Sequence, residues 1–277
     1  MRGIVPGIVR ISRQQWQACA LAPSQDSDVL GLPQGHELHL WCADLDDTAW
    51  TALGEGSLDE SERSRAAGMA DSRAREHFSR SRSLLRRVLA RYHGGQPAAL
   101  QFDVLAHGKP RLRDRAGHAA PLQFNLSHSR GGWLLAIGSV DPLGIDLERP
   151  REVPNAARLA ERVFSPNERA ALVEAMTVSA ARRDAVFLEC WTRKEAALKA
   201  LGDGFSLGAA TLEVGLSSEG GAEATADLDK SVLSHPRHPS RPFRLSSIEL
   251  PWPAHAACAH APQITQLECH WLNATAV

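Results

Sequence analysis

Apolar residues along this chain recur with two periods, and segments of one period alternate with segments of the other. Glu37-Leu-His-Leu-Trp-Cys-Ala-Asp-Leu45 alternates and is rich in strand formers, which predicts a first strand. Ser57 is placed to cap a short helix over 58–67. Asp71 or Ser72 opens a longer helix to Tyr92, with Phe78, Leu84, Leu85, Val88, Leu89 and Tyr92 as its apolar stripe and His93-Gly94-Gly95 as its stop. A strand over 100–105, a Gly-Lys-Pro turn with a basic tip at 107–112, and a hairpin of 123–128 with 133–139 follow. After Asp141-Pro142 the order repeats. A strand over 143–148 leads to a helix over 154–163. The capping box Ser165-Pro-Asn-Glu168 opens another helix to about Ala175. A long helix then runs from near Ala180 to Leu201, stopped by Gly202. Strands are expected at 211–216, 243–250 and 255–260, with one more over 264–272.

The repeat of pattern implies an α+β fold of two pseudo-symmetric halves, each a small antiparallel sheet packed on a long helix, with a cleft between them. The expected divisions are an N-terminal extension over 1–36, in which Ile4 to Val9 could add an edge strand, a first half over 37–141, and a second over 142–277. Residues 217–241, rich in Ser, Gly, Ala, His and Pro, form an excursion of no clear period.

With 277 residues the chain can bury a sizeable core, and its net charge of −1 says nothing about partners. The distribution of charge does: residues 63–91 hold nine arginines and no lysine, against only Asp71 and Glu76. No apolar run approaches the ~18 residues of a membrane span, and the N-terminus lacks the apolar core of a secretory signal. Five widely spaced cysteines in apolar contexts read as buried thiols of a reducing cytoplasm. His235, His238, His255, His260 and His270 have no metal-type spacing.

The charges that stand out lie on apolar faces. On the long second-half helix, Leu188, Trp191, Glu195, Leu198 and Lys199 share one side. Buried charge without a partner is expensive, so Glu195 and Lys199 must meet something there. Asp146 and Glu148 stand at i, i+2 on a strand, pointing away from the core side of Ile145 and Leu147. Acids are common at a solvated strand end, but a third carboxylate from a core-facing helix position favours a shared cation. Three oxygen ligands suit Mg²⁺ or Mn²⁺, and Mg²⁺ completes its shell with water and substrate phosphate. Arg63, Arg65, Arg75, Arg82 and Arg86, with Lys109 on its turn, could supply the counter-charge to a polyanion, or could form a solvated basic face. Nucleic acid would be the rival polyanion, but the helix offers few exposed aromatics and no recognised binding motif. Ser127-His128 lacks the Gly-x-Ser-x-Gly elbow, and neighbouring strand residues face opposite ways, which excludes a serine hydrolase.

Gly144-Ile-Asp-Leu-Glu148, followed 46 residues after Glu148 by Lys194-Glu195-Ala-Ala-Leu-Lys199 within Trp191-Thr-Arg-Lys-Glu-Ala, resembles the paired signature of 4'-phosphopantetheinyl transferases of the larger, surfactin-synthetase-activating (Sfp) type. Gly108-Lys-Pro110, Asn125-Leu-Ser-His-Ser129, Phe164-Ser-Pro-Asn-Glu-Arg169 and the Arg-x-Leu-Leu-Arg of Arg82 to Arg86 fit in the family's order, over about residues 37–262. The resemblance implies that coenzyme A lies between the halves and that its phosphopantetheine arm passes to a serine of an apo carrier protein (acyl, polyketide or peptidyl), releasing 3',5'-ADP, the reaction of a holo-acyl-carrier-protein synthase. It further implies Asp146, Glu148 and Glu195 as Mg²⁺ ligands, with Glu195 taking the serine proton and Lys199 aiding the leaving group. Lys194 and Lys199 would flank the pyrophosphate, His128 with Ser127 would contact a coenzyme A phosphate, and Lys109 and Pro110 would lie by the adenosine end. Arg63 and Arg65 would serve the 3'-phosphate. Where the family carries another phosphate-binding arginine this chain has His77, so His77, Arg75 or Arg80 takes that place. The helices over 154–175 would dock the carrier, with Phe164, Leu172 and Met176 either as anchors or packed inside, and a monomer is expected. A Mg²⁺-dependent coenzyme A or nucleotide phosphohydrolase and a non-catalytic coenzyme A-binding protein are the alternatives.

Overall fold

The computed structural model describes residues 9–19, 29–47, 50, 55–105, 108–202, 204, 208–216 and 232–272. In chain order its elements are β1 (Val9–Ile11), β2 (Trp16–Cys19), β3 (Glu37–Asp44), α1 (Glu60–Ala67), α2 (Ser72–His93), β4 (Phe102–Val104), β5 (Pro110–Leu112), β6 (Gln123–Ser129) and β7 (Gly132–Gly138). The second run comprises β8 (Leu143–Glu148), α3 (Ala156–Val163), α4 (Pro166–Val178), α5 (Ala180–Leu201), β9 (Leu233–His235), β10 (His238–Ile248), β11 (His255–His260) and β12 (Gln266–Leu272). The strand expected over 4–9 falls outside the described residues except for its last member, and so does most of the excursion after residue 216.

The layers stack as helix, sheet, sheet, helix. One sheet runs β2-β12-β3-β7-β6 and the other β1-β10-β11-β8, with β9 beside β10. Alternation along each strand decides what lies on each face. Trp41, Ala43, Trp133, Leu135 and Ile137 pack on Leu84, Leu85, Val88 and Leu89 of α2. Phe243, Leu245, Ala257 and Ala259 pack on Leu188, Ala196, Ala197 and Leu201 of α5. The inner faces close on each other through Leu38, Leu40, Cys42 and Leu134 against Ile145, Leu147, Ile248 and Cys258. The β3-β7-β6 and β10-β11-β8 meanders are antiparallel, and the chain ends add parallel strands to them. These additions cross the sequence midpoint: β12 pairs with β3, and β1 pairs with β10.

The helix ends follow local chemistry. Asp71 caps α2 by accepting from Ala74 N, Ser165 and Glu168 close a reciprocal box on α4, and Gly202 ends α5 in the left-handed region at φ 91°. Two expectations change. Ser57 does not cap the first helix: its hydroxyl accepts from Arg87 Nε, and Asp59 is the cap instead. Residues 211–216 are not a strand. Lys194 takes the carbonyls of Ala209 and Leu212, Arg193 those of Val214 and Gly215, and Glu168 the Val214 N–H. Side chains from two helices satisfy this backbone, so it needs no neighbouring strand.

Candidate active site

The site is built on the open edge of β8. As the last strand of its sheet, β8 exposes one row of backbone groups, a liability unless something claims them. Side chains claim four. Ile145 N–H donates to Asn125 Oδ1 at 2.8 Å and Leu147 N–H to Ser127 Oγ at 3.2 Å. Lys109 Nζ donates to Leu143 O and Lys199 Nζ to Ile145 O, each at 3.2 Å. The edge is therefore joined to β6, to the β4–β5 turn and to α5 without a further strand. The alternate residues Gly144, Asp146 and Glu148 turn toward α5. A Cβ on Gly144 would overlap Ala196 O and Ala200 N and come within 2.9 Å of Ala200 Cα. Only glycine lets strand and helix approach so closely. That approach brings Asp146 and Glu148 into one open pocket with Glu195, Lys199, His128 and Trp191, with a volume of about 460 Å³.

The two strand carboxylates are already held. Asp146 Oδ1 accepts from Lys199 Nζ at 2.6 Å and from Ser127 Oγ at 2.8 Å. Burial nevertheless pushes its pKa up, against the pull of Lys199 and Ser127. Glu148 accepts from Ser129 Oγ at 2.6 Å and from Arg151 at 3.4 Å. Glu195 is half-buried, and burial first, then Asp146, with Glu148 adding and Lys199 opposing, raises its pKa to about 7. His128 is exposed at the rim, its pKa lowered by the surrounding protein and then by the positive charges of Lys199, His77 and Arg82. Through that imidazole the pocket meets the basic helix of the first half.

The sequence profile of the 4'-phosphopantetheinyl transferase superfamily matches residues 142–257, the stretch that supplies Asp146, Glu148, Glu195 and Lys199. The chain is 36% identical over 172 residues to the 4'-phosphopantetheinyl transferase HetI of Nostoc sp., an alignment spanning 61% of this chain and 70% of that protein. The chain belongs to the 4'-phosphopantetheinyl transferase superfamily. It is also 36% identical over 148 residues to the transferase psf-1 of Bacillus pumilus (51% of this chain, 58% of that protein). To the transferase Sfp of Bacillus subtilis it is 29% identical over 137 residues (50% and 57%).

Against the superfamily's expected roles, the residues separate. Asp146, Glu148, Glu195, Lys199, Ser127 and His128 line one pocket. Lys194 does not join them. It is buried 100° round the helix from Glu195, paired with Glu168 at 2.7 Å, and donates to the Ala209 and Leu212 carbonyls. Contrary to the expected place by the pyrophosphate, it ties α5 to α4. Arg82 and Arg86 are likewise structural. Glu62 accepts from both, and Arg86, fully buried, also pairs with Asp59 and donates to the Pro97 and Leu100 carbonyls. Arg63, Arg65, Arg75 and His77 lie on the first-half helices outside the pocket. Arg63 donates to the Leu58 carbonyl and to Glu60, Arg65 lies 5.0 Å over the Phe78 ring, Arg75 reaches the Met69 carbonyl at 3.5 Å, and His77 meets Asp46 at 2.8 Å. Lys109 and Pro110 sit where the turn joins β5, with Lys109 engaged on β8. Asn125, Ser129 and Gly144 carry positioning roles that the sequence reading did not assign. The alternating polar run Asn125-Leu-Ser-His-Ser129 was the available signal.

The donor set fits a hard divalent cation. Three carboxylates face one solvent-open pocket, where burial, reinforced by the charges of Asp146 and Glu148, lifts the Glu195 pKa to about 7, and a bound cation would offset that penalty.

Proposed function

We propose that this pocket transfers the 4'-phosphopantetheine arm of coenzyme A to a serine of an apo carrier protein, releasing 3',5'-ADP, as a holo-acyl-carrier-protein synthase does. The observation that carries the reading is the meeting of Asp146 and Glu148 from a strand with Glu195 and Lys199 from a helix, in one pocket made possible by the close strand–helix approach at Gly144. Asp146, Glu148 and Glu195 would hold Mg²⁺, which when bound neutralises charge on the pyrophosphate. Glu195 accepts the proton of the serine hydroxyl. The serine oxygen forms a bond to the β-phosphorus, and the bond from that phosphorus to the bridging oxygen breaks, leaving 3',5'-ADP. Lys199, one turn from Glu195, leaves its contact with Asp146 to place positive charge at the departing phosphate. His128 holds a phosphate oxygen at the rim, and Arg63, Arg65, Arg75 and His77 face the nucleotide's 3'-phosphate from the first half. Most of the acceleration is positioning and electrostatics.

The carrier protein docks on the second half. Phe164 and Leu172, expected as anchors, are core residues, so the contact falls to the exposed Val173 and Met176 on the outer side of α4. Five cysteines outside any disulfide fit a reducing cytoplasm, and no described helix is long and apolar enough to cross a membrane. The protein acts as a monomer in this reading, its two halves supplying both walls of the site. The test is product stoichiometry. With coenzyme A, Mg²⁺ and an apo carrier protein, 3',5'-ADP forms one-for-one with modified carrier. Equal 3',5'-ADP release without carrier would make the protein a phosphohydrolase.

A further inference from the structure

A second constellation lies on the other face of the first-half sheet. β12 runs parallel to β3 with Glu268 the register partner of His39, and His270 follows two residues on. Alternation puts all three on the α2 side. His39 Nε2 stands 3.6 Å from Glu268 Oε2, and His270 Nε2 stands 3.4 Å from the same oxygen. One ligand atom from each residue lies within 4.8 Å of the other two. A tetrahedral zinc ion with bonds of about 2.0–2.1 Å sets its ligand atoms roughly 3.4 Å apart.

Two further observations point to a ligand. His270 Nε2 is buried with no well-formed hydrogen bond, and the group it faces is the Glu268 carboxylate at 3.4 Å. Both rings are also fixed from behind. His39 Nδ1 shares a hydrogen bond of 2.7 Å with Tyr92 OH, which accepts from Trp41 Nε1 at 2.9 Å. The Trp41 ring stacks on His270 at 4.1 Å and 21°. The tautomer that donates Nδ1–H to Tyr92 leaves the His39 Nε2 lone pair facing Glu268, the outer-shell arrangement usual for metal-bound histidine. The Glu268 side chain is 58% exposed, which leaves an entry path and a fourth position for water.

We propose that His39, Glu268 and His270 form a zinc-binding site, separate from the transferase pocket, that pins the last strand β12 to β3. Two imidazoles and one carboxylate suit zinc, whereas the all-oxygen pocket suits magnesium. The inference does not depend on the transferase reading.

The test uses the chelator-stripped full chain in excess Mg²⁺, which occupies the carboxylate pocket, titrated with Zn²⁺ by calorimetry and with Co²⁺ by visible absorption. One equivalent of Zn²⁺ is expected, together with the intense bands of four-coordinate Co²⁺ and a rise in melting temperature. Glu268→Gln, at an exposed position, and His270→Gln each weaken Zn²⁺ binding at least tenfold and abolish the thermal shift, while Glu195→Gln leaves both as in wild type. Failure of the wild-type chain to take up micromolar Zn²⁺ would overturn the proposal, and so would wild-type affinity in both Glu268→Gln and His270→Gln.

Discussion

Gly144 on β8 lies directly against the backbone of Ala196 on α5, with no room between them for a methyl group. Two residues on, the same strand face presents Asp146; one residue on from Ala196's neighbour Glu195, the helix turns back into its core. The closeness of strand and helix is what lets carboxylates from both share one pocket. Gly144→Ala forces backbone away from backbone, which no side-chain rotation relieves. The expected result is a loss of at least 1–3 kcal/mol of stability, the range for overpacking a close contact. Transfer activity should fall more than tenfold in the fraction that remains folded. Thermal melts and carrier modification rates measure both, and a variant with wild-type rate would show that the spacing does not set the site.

Lys194 and Glu168 form a buried ion pair, each side chain 2% exposed. Removing one partner of such a pair costs about 3–5 kcal/mol, because the other charge stays buried. Lys194→Ala should therefore lower stability by that order in urea melts. Coenzyme A affinity of the folded protein should stay within twofold, because the ammonium points at α4. A selective loss of coenzyme A affinity at unchanged stability would return Lys194 to the substrate.

His260 is buried between Ser246 and the Ala261 carbonyl, and burial holds its pKa at about 4, below the ordinary 6.5. The unfolded chain then binds the proton first as pH falls. Stability from this group is full above about pH 6.5 and is lost on descent to about pH 4, by an amount on the order of 3 kcal/mol. His39, His128, His255 and His270 shift in the same direction and add to the slope. Urea unfolding between pH 4.5 and 7.5 should show a shallower dependence in His260→Gln than in wild type. Identical slopes would rule out His260 as a source.

Much of this architecture was legible along the chain, because alternation and helical period are local. They put Asp146 and Glu148 on one face of a strand and Glu195 with Lys199 on one side of a helix, and the pocket contains all four. What local pattern could not show was the partner of each charge. Lys194 adjoins Glu195 in sequence yet turns to Glu168 on α4. Arg82 and Arg86 look like a free basic face until α1 brings Glu62 and Asp59 against them. Residues 211–216 have strand composition, but carbonyl-seeking Lys194 and Arg193 hold them out of any sheet. His270 shows no metal spacing because its neighbour His39 lies on another strand, from the far end of the chain. Gly144 belongs to the Gly-Ile-Asp-Leu-Glu motif, and the reason for it, contact with α5, appears only when the helix is in place.

The central claim is that Glu195, set among Asp146, Glu148 and Lys199, takes part in moving phosphopantetheine to a carrier serine. The most direct measurement is the intact mass of an apo carrier protein after incubation with coenzyme A, Mg²⁺ and either wild type or Glu195→Gln. Wild type should add one phosphopantetheine arm per carrier serine. Glu195→Gln, folded by circular dichroism, should be slower by about 10²–10⁴-fold, the range for removing a general base. No mass gain with wild type, or full transfer by Glu195→Gln, would contradict the account.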